Sequence, residues 1–197
     1  MNVRVKEIEE RVIALLDENL EIVEERTIYG DPATELGALI RQLIPDAATA
    51  VIKEADVAMI DESLSGSGSG LLVGPGGRML MPLPNRFLRM LYFRMDSWDR
   101  GLNSLLDPWS EEYSLRIRSG RIRPGHRSGP ALSIAYVGTG RMLEIFGAEP
   151  GARVAEFAWL PAPEIEDGRI WIPSLLLDAL CRKTAEFVKA VTNHLDD

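Results

Sequence analysis

The sequence predicts an α+β protein in which a small helical bundle carries an inserted small antiparallel β-sheet. Apolar residues recur at helical spacing through the first sixty residues and again near the end of the chain. A glycine- and serine-rich stretch and then short apolar segments separated by Gly and Pro lie between these regions. We therefore expect a discontinuous helical bundle formed by 1–62 and 172–197, a boundary at 63–77, and an inserted β domain at 78–171.

The N-terminal region predicts three helices. Residues 3–26 place apolar side chains at helical spacing between Glu and Arg residues. A second helix is expected to begin at Asp31 and Pro32, because Asp caps helices and Pro suits the first helical position. Pro45 is expected to interrupt that helix, and Asp46 to begin a third.

The middle and end of the chain predict about four to six strands followed by one long helix. Asp167 and Gly168 are typical of a tight hairpin turn. Pro173 is expected to begin a terminal helix of about five turns, whose apolar face includes Cys181 as a buried thiol. The segments that predict strands are RMLMPLP, FLRMLYFRMDSW, EYSLRIRSGRIRPG, PALSIAYVG, RMLEIFGA and ARVAEFAWLP.

Charge is divided unevenly along the chain, whose net charge is −8. Residues 1–62 carry six Lys/Arg and fifteen Asp/Glu, whereas 78–127 carry ten Arg and five acidic residues. The chain also contains 18 Arg and only four Lys. A GC-rich genome explains an excess of Arg, and so does a surface that binds carboxylates or phosphates.

The sequence contains no recognised motif for catalysis, cofactor binding or metal binding. The glycine-rich stretch lacks the Gly-Lys-Ser/Thr of a phosphate loop, and Leu71 and Val73 stand where a dinucleotide fingerprint requires Gly. His126 and His194 are the only histidines, and neither has metal-ligand spacing. We therefore expect no enzyme, although a hydrolase whose triad forms only in space remains an alternative.

The segment 116–127 is the strongest candidate for a binding site. Its sequence predicts a half-solvated strand and a loop. Its arginines can bind phosphates, or they can bind an acidic protein surface, including that of a neighbouring copy. A simple solvated loop is the third interpretation. The candidate interface residues are Arg116, Arg118, Arg121, Arg123 and Arg127.

The element order and two short motifs resemble the head-to-tail adaptor proteins of tailed bacteriophages, also called head-completion, neck ring or tail tubular proteins. That family shows an extended Leu-Pro-x-Asp-Phe-Leu-Arg segment entering its β part. The closing helix resembles the family's pattern at Pro173, Ala179, Leu180 and Ala185. The first motif is matched here, without the Asp, by Leu83, Pro84, Phe87, Leu88 and Arg89. The likeness is greatest to neck proteins of crAss-like and related phages of gut bacteria.

The resemblance implies a structural virion protein without cofactor, metal or active site. Such adaptors form a closed ring, usually of about twelve copies, that joins the capsid portal protein to the tail or to further neck proteins. Double-stranded DNA passes through the ring without specific binding. The expected location is the virion neck, assembled in the host bacterial cytoplasm, with no membrane partner.

A different class of function is also open on the residues alone. The arginines of 116–127 are compatible with a nucleic-acid-binding protein that does not read sequence. The net charge of −8 opposes this alternative, because phosphates repel an acidic chain.

Overall fold

The computed structural model describes residues 1–17, 32–61, 63–66, 70–73, 78–122 and 129–194. Side chains are described for these residues except 32–35, 119–122 and His194. The chain divides into two compact units, which we call the helical unit and the β unit. The helical unit comprises Met1–Glu62 and Ala162–Asp197, and the β unit comprises Ser63–Pro161.

Four α-helices and ten β-strands are present in the described part of the chain. The helices are α1 (Val5–Asp17), α2 (Pro32–Glu54), α3 (Glu111–Ile122) and α4 (Leu177–His194). The strands are β1 (Asn2–Arg4), β2 (Leu64–Ser65), β3 (Leu72–Val73), β4 (Met79–Pro82), β5 (Phe87–Met95), β6 (Ala131–Val137), β7 (Gly140–Phe146), β8 (Val154–Pro161), β9 (Ile165–Glu166) and β10 (Arg169–Trp171).

In the helical unit, α1, α2 and α4 pack against one another. The side of α4 that faces the bundle carries buried residues at helical spacing, among them Leu180, Thr184 and Val188. The Thr184 hydroxyl donates a hydrogen bond to the Leu180 carbonyl oxygen at 2.8 Å, which satisfies a buried polar group within its own helix. Cys181 is buried on the same helix, as the sequence predicted.

The predicted break at Pro45 is wrong, because α2 continues through it. A proline inside a helix removes one backbone hydrogen bond and costs about 3 kcal/mol. Buried residues flank the proline on both sides, among them Ile40, Ile44, Ala47 and Ile52. Burying this apolar face outweighs the missing backbone hydrogen bond. The described residues before the β unit therefore form two α-helices, where the sequence predicted three.

The helical unit contains a sheet of its own, with strand order β1-β10-β9 and antiparallel pairing. The N-terminal amine of Met1 donates to the Ile172 carbonyl at 2.8 Å, which holds the first residue beside the segment that precedes α4. The predicted turn between β9 and β10 is confirmed, since Asp167 and Gly168 adopt φ of 50° and 68°. This sheet contradicts the predicted fold class, which placed one sheet in the inserted part and a purely helical bundle around it.

In the β unit, two antiparallel sheets share one hydrophobic core. Their strand orders are β2-β8-β5 and β3-β4-β7-β6. Aromatic rings lie at the centre of this core: the Phe93 ring meets those of Trp98 and Phe157 edge to face, at 5.8 and 5.9 Å between centroids. The described fold is therefore α+β with four helices and three antiparallel sheets, and the bundle with one inserted sheet is wrong.

The strand predicted for EYSLRIRSGRIRPG is also wrong, because residues 111–122 form the helix α3. Alternation of Leu115, Arg116, Ile117 and Arg118 covers only four residues, which is too short to distinguish a strand from a helix. Glu111 and Glu112 lie in the first turn, where negative charge stabilises the helix.

None of the described helices is long and apolar enough to span a membrane.

Candidate functional site

The start of α3 is fixed by a short network of local hydrogen bonds. The Asp107 side chain accepts a bond from the Trp109 amide at 2.9 Å, and its carbonyl accepts one from the Ser110 hydroxyl at 2.7 Å. The Ser110 hydroxyl oxygen in turn accepts from the Tyr113 amide at 3.2 Å, so Ser110 caps the helix. These bonds hold the Pro108–Trp109 turn in one conformation.

A buried carboxylate anchors α3 to the sheet beneath it. Glu144 on β7 is only 1% exposed and forms an ion pair with Arg78, which precedes β4. The Tyr113 hydroxyl donates to Glu144 Oε2 at 2.7 Å. The Tyr113 ring also meets the Phe146 ring edge to face, at 5.9 Å between centroids. We call Arg78, Glu144 and Tyr113 the anchor cluster.

The anchor cluster makes the stability of the β unit sensitive to alkaline pH. Burial, and then the hydrogen bond to Glu144, raises the pKa of Tyr113 to about 12. Because the folded-state pKa lies above the unfolded one, the stabilisation by Tyr113 is complete below about pH 10 and is lost as the pH rises towards 12.

We expect the wild type to lose more unfolding free energy between about pH 8 and pH 11 than the variant Tyr113→Phe does. Urea unfolding at the two pH values measures this difference, and the other three tyrosines are common to both proteins. Equal losses in wild type and variant would show that Tyr113 titrates without coupling to folding.

The candidate arginines of 116–127 do not form one exposed row. Arg116 is engaged within the chain: it pairs with Glu112 at 2.9 Å and donates to the Gly129 carbonyl at 2.6 Å. Arg118 is exposed. Arg121 lies on α3, but its side chain is not described, and Arg123 and Arg127 lie outside the described residues.

The family-like segment forms the connection from β4 to β5. Leu83 and Phe87 are buried in the core of the β unit, while Pro84, Leu88 and Arg89 are half-buried. The Phe87 amide donates to the Pro84 carbonyl at 2.9 Å, which closes a turn.

Arg141 on β7 contacts this turn from the β3-β4-β7-β6 sheet. It donates to the Phe87 carbonyl at 2.6 Å, and its guanidinium lies over the Phe87 ring at 5.9 Å from the centroid. In this structure the segment therefore packs the two sheets together.

Two exposed apolar residues near α3 were missed from the sequence. Trp109 is 92% exposed, and Leu115 on the outward side of α3 is 57% exposed. An exposed tryptophan and an exposed leucine in one segment make this segment a candidate binding surface. The signal that could have found this helix is the Asp-Pro-Trp-Ser sequence at 107–110, which resembles a helix start.

The two units carry opposite net charge. The helical unit has ten Lys or Arg and 22 Asp or Glu, a net of −12. The β unit has twelve basic residues, all Arg, and eight acidic ones, a net of +4. The acidic segment 1–62 lies within the helical unit, and the arginine-rich segment 78–127 lies within the β unit.

Among the described residues, no three His, Cys, Asp or Glu side chains are grouped so that they could hold a metal ion. Searches of protein-family models and of curated proteins found no match to this chain. Function is therefore inferred from the residues and geometry of the chain itself.

Proposed function

We propose that this chain is a structural assembly protein that forms a ring of identical copies, as the head-to-tail adaptors of tailed phages do. The observation that supports this most is the opposite charge of its two units, −12 and +4. Complementary charge steers association and sets the orientation of partners. An acidic unit and an arginine-rich unit in one chain give each copy two unlike surfaces that attract.

Unlike surfaces matter because they determine the symmetry of the assembly. When a patch on one copy binds a different patch on the next, the contact repeats head to tail and closes into a ring or continues as a filament. A self-complementary patch would stop at a dimer. The separation of charge between two compact units favours the head-to-tail arrangement.

In this proposal the ring lies between the portal protein and the tail, and DNA passes through it. An acidic wall offers phosphates no counter-charge, so a channel lined by the helical unit would let DNA slide without being held. The chemistry that such a protein needs is assembly and not catalysis.

Binding to the portal protein encoded in the same genome tests the assembly role. The purified chain is immobilised and the portal protein is passed over it, with an unrelated phage ring protein as the control. We expect the portal protein to be retained and the control protein to pass through. A chain that retains neither, and that stays monomeric at high concentration, would contradict the proposal.

Nucleic-acid binding is the second candidate, and it is favoured by the exposure of both Trp109 and Arg118. Aromatic side chains stack on unpaired bases and arginines meet phosphates. We expect only weak binding, because Arg116 is engaged by Glu112 and Gly129 and the net charge is −8.

A salt titration of binding to single- and double-stranded DNA distinguishes the two candidates. Tight binding whose log affinity falls steeply with log salt, and which Trp109→Ala and Arg118→Ala abolish, would favour the nucleic-acid role over the structural one.

A further inference from the structure

We propose that neighbouring copies join through the two edges of the sheet β3-β4-β7-β6, so that β6 of one copy pairs with β3 of the next. This inference rests on the proposed ring and names the surfaces that link its copies. β3 and β6 are the outer strands of this sheet, and in the described part of the chain no further strand pairs with either of them. We call the outer sides of β3 and β6 the open edges.

The open edge of β6 presents the backbone groups of Tyr136. In an antiparallel pair, the backbone groups of successive residues face alternate sides of the strand. The Leu132 carbonyl accepts from the Leu106 amide at 2.7 Å and therefore faces away from β7. Tyr136 lies four residues further along, so its amide and carbonyl face the same way. Leu106 reaches β6 only beside Leu132 and Ser133, and no described residue bonds to the outward groups of Tyr136.

The open edge of β3 presents the backbone groups of Val73. Leu83 directly follows β4, and its amide donates to the Arg141 carbonyl at 3.0 Å, so odd-numbered residues here direct their backbone groups towards β7. Leu80 therefore directs its groups towards β3, where it lies opposite Leu72. The amide and carbonyl of Val73 must then face outward. Among the residues that the structure describes, these two groups have no partner.

The open edges match each other in direction and in face. The sheet has four strands and all its neighbours are antiparallel, so β3 and β6 run in opposite directions. A second copy that continues the sheet therefore forms an antiparallel pair with β6. The register places Val73 and Tyr136 on the same face of the sheet as the buried Ile145. Residues that exchange hydrogen bonds in an antiparallel pair share one face, so Val73 and Tyr136 are suited to pair directly.

The side chains of the open edges are apolar and stand in water in a single copy. Val73 is 81% exposed and Tyr136 is 76% exposed. Beside them, Leu72 and Val137 are also more than half exposed. Neither strand contains a charged residue or a proline, and neither has a register shift against its neighbour. Edge strands of this kind pair readily with another chain.

The other sheet of the β unit shows how this chain protects an edge. β5 is an outer strand of the β2-β8-β5 sheet, carries Arg89 and Arg94, and has three register shifts against β8. Its outer side is also occupied at Phe93, which exchanges two backbone hydrogen bonds of 2.8 Å with Leu102. Charges and bulges prevent an edge from pairing with another chain. The contrast with β5 indicates that the edges of β3 and β6 are used.

The matching edge identifies the occupant as a second copy of this chain. β3 and β6 lie on opposite sides of one sheet, so pairing them joins unlike surfaces and repeats from copy to copy. A β6–β6 pair would instead stop at a dimer. Each β unit carries a net charge of +4, and the strands that meet in the proposed pair have no charge of their own.

Cysteine cross-linking tests the pairing directly. Val73→Cys and Tyr136→Cys would place two thiols on facing residues whose Cα atoms lie about 5.5 Å apart, a distance that a disulfide spans. A variant with both changes, oxidised with copper phenanthroline, should give a ladder of cross-linked multimers on a non-reducing gel. The two single variants mixed in equal amounts should give dimers and nothing larger. Cys181 is buried and common to every sample.

A charge on the open edge provides a second measurement. Tyr136→Lys introduces a residue that protects natural edge strands, so we expect self-association measured by sedimentation to weaken on the order of tenfold or more. Leu175→Lys is the matched control, because Leu175 is an exposed apolar residue of the helical unit. The control should assemble as the wild type does. Thermal melting followed by circular dichroism checks that both variants fold.

The outcomes distinguish this inference from the proposed function. If the wild type forms no oligomer, alone or with the portal protein, the proposed function fails and the edge pairing fails with it. If the wild type assembles but the double cysteine variant gives no ladder, or Tyr136→Lys assembles as the wild type does, the edge pairing alone is refuted. Cross-linked dimers from either single cysteine variant would also refute it, because they would show a pair of identical edges.

Discussion

Replacing Glu144 with Ala is expected to lower the unfolding free energy by about 3–5 kcal/mol. The substitution removes the ion pair between Arg78 and Glu144, and it removes the acceptor of the Tyr113 hydroxyl's hydrogen bond. Glu144 is 1% exposed, so water has little access to this position. Water therefore does not fully replace the lost ion pair or the lost hydrogen bond. Breaking a buried ion pair by removing one member is costly because the other charge stays behind in a region of low polarity.

The control for this prediction removes the whole anchor cluster together. A triple variant with Arg78→Met, Glu144→Leu and Tyr113→Phe leaves no uncompensated polar group, and it should recover most of the stability that Glu144→Ala loses. Urea unfolding of the wild type and both variants measures the difference. A loss below about 1 kcal/mol in Glu144→Ala would show that the cluster does not anchor α3.

Raising the salt concentration is expected to weaken self-association strongly. The attraction between an acidic helical unit and an arginine-rich β unit acts through water, where the screening length falls from about 10 Å at 0.1 M to about 3 Å at 1 M salt. The association rate should fall on the order of tenfold to a thousandfold over this range. The dissociation rate should change less, because contacts that are buried in an interface are screened much less than charges in water.

Stopped-flow light scattering at several salt concentrations measures the two rates. An association rate that is independent of salt would contradict a charge-steered contact and leave only its apolar part.

Helices whose apolar residues recur at helical spacing were predictable from this sequence, and so was the tight turn between β9 and β10. The terminal helix and the Asp167–Gly168 hairpin follow from spacing and from residues that tolerate positive φ. Pro45 misled the prediction because its local cost is visible in sequence, whereas the packing of α2 against the bundle, which outweighs that cost, is not.

The pairing of β1 with β10 could not be predicted because it joins residues far apart in the chain. β1 contributes only three residues, and its partner β10 lies more than 160 positions later. A short strand of this kind shows no alternation of its own before its partner is known. β9 and β10 lie within 78–171 of the sequence and belong to the helical unit.

The candidate site was only partly predictable. The arginines of 116–127 identified the correct segment of the chain, but not its helical form or the engagement of Arg116. Trp109 was overlooked because exposure depends on what neighbouring elements cover. The anchor cluster joins residues 78, 113 and 144, and no local pattern connects them.

The proposal that this chain forms a portal-bound ring is tested most directly by electron microscopy of the purified protein mixed with its portal protein. The account predicts closed rings of this chain stacked coaxially on the portal. Particles that show the portal alone, with this chain monomeric in the background at every concentration, would contradict it.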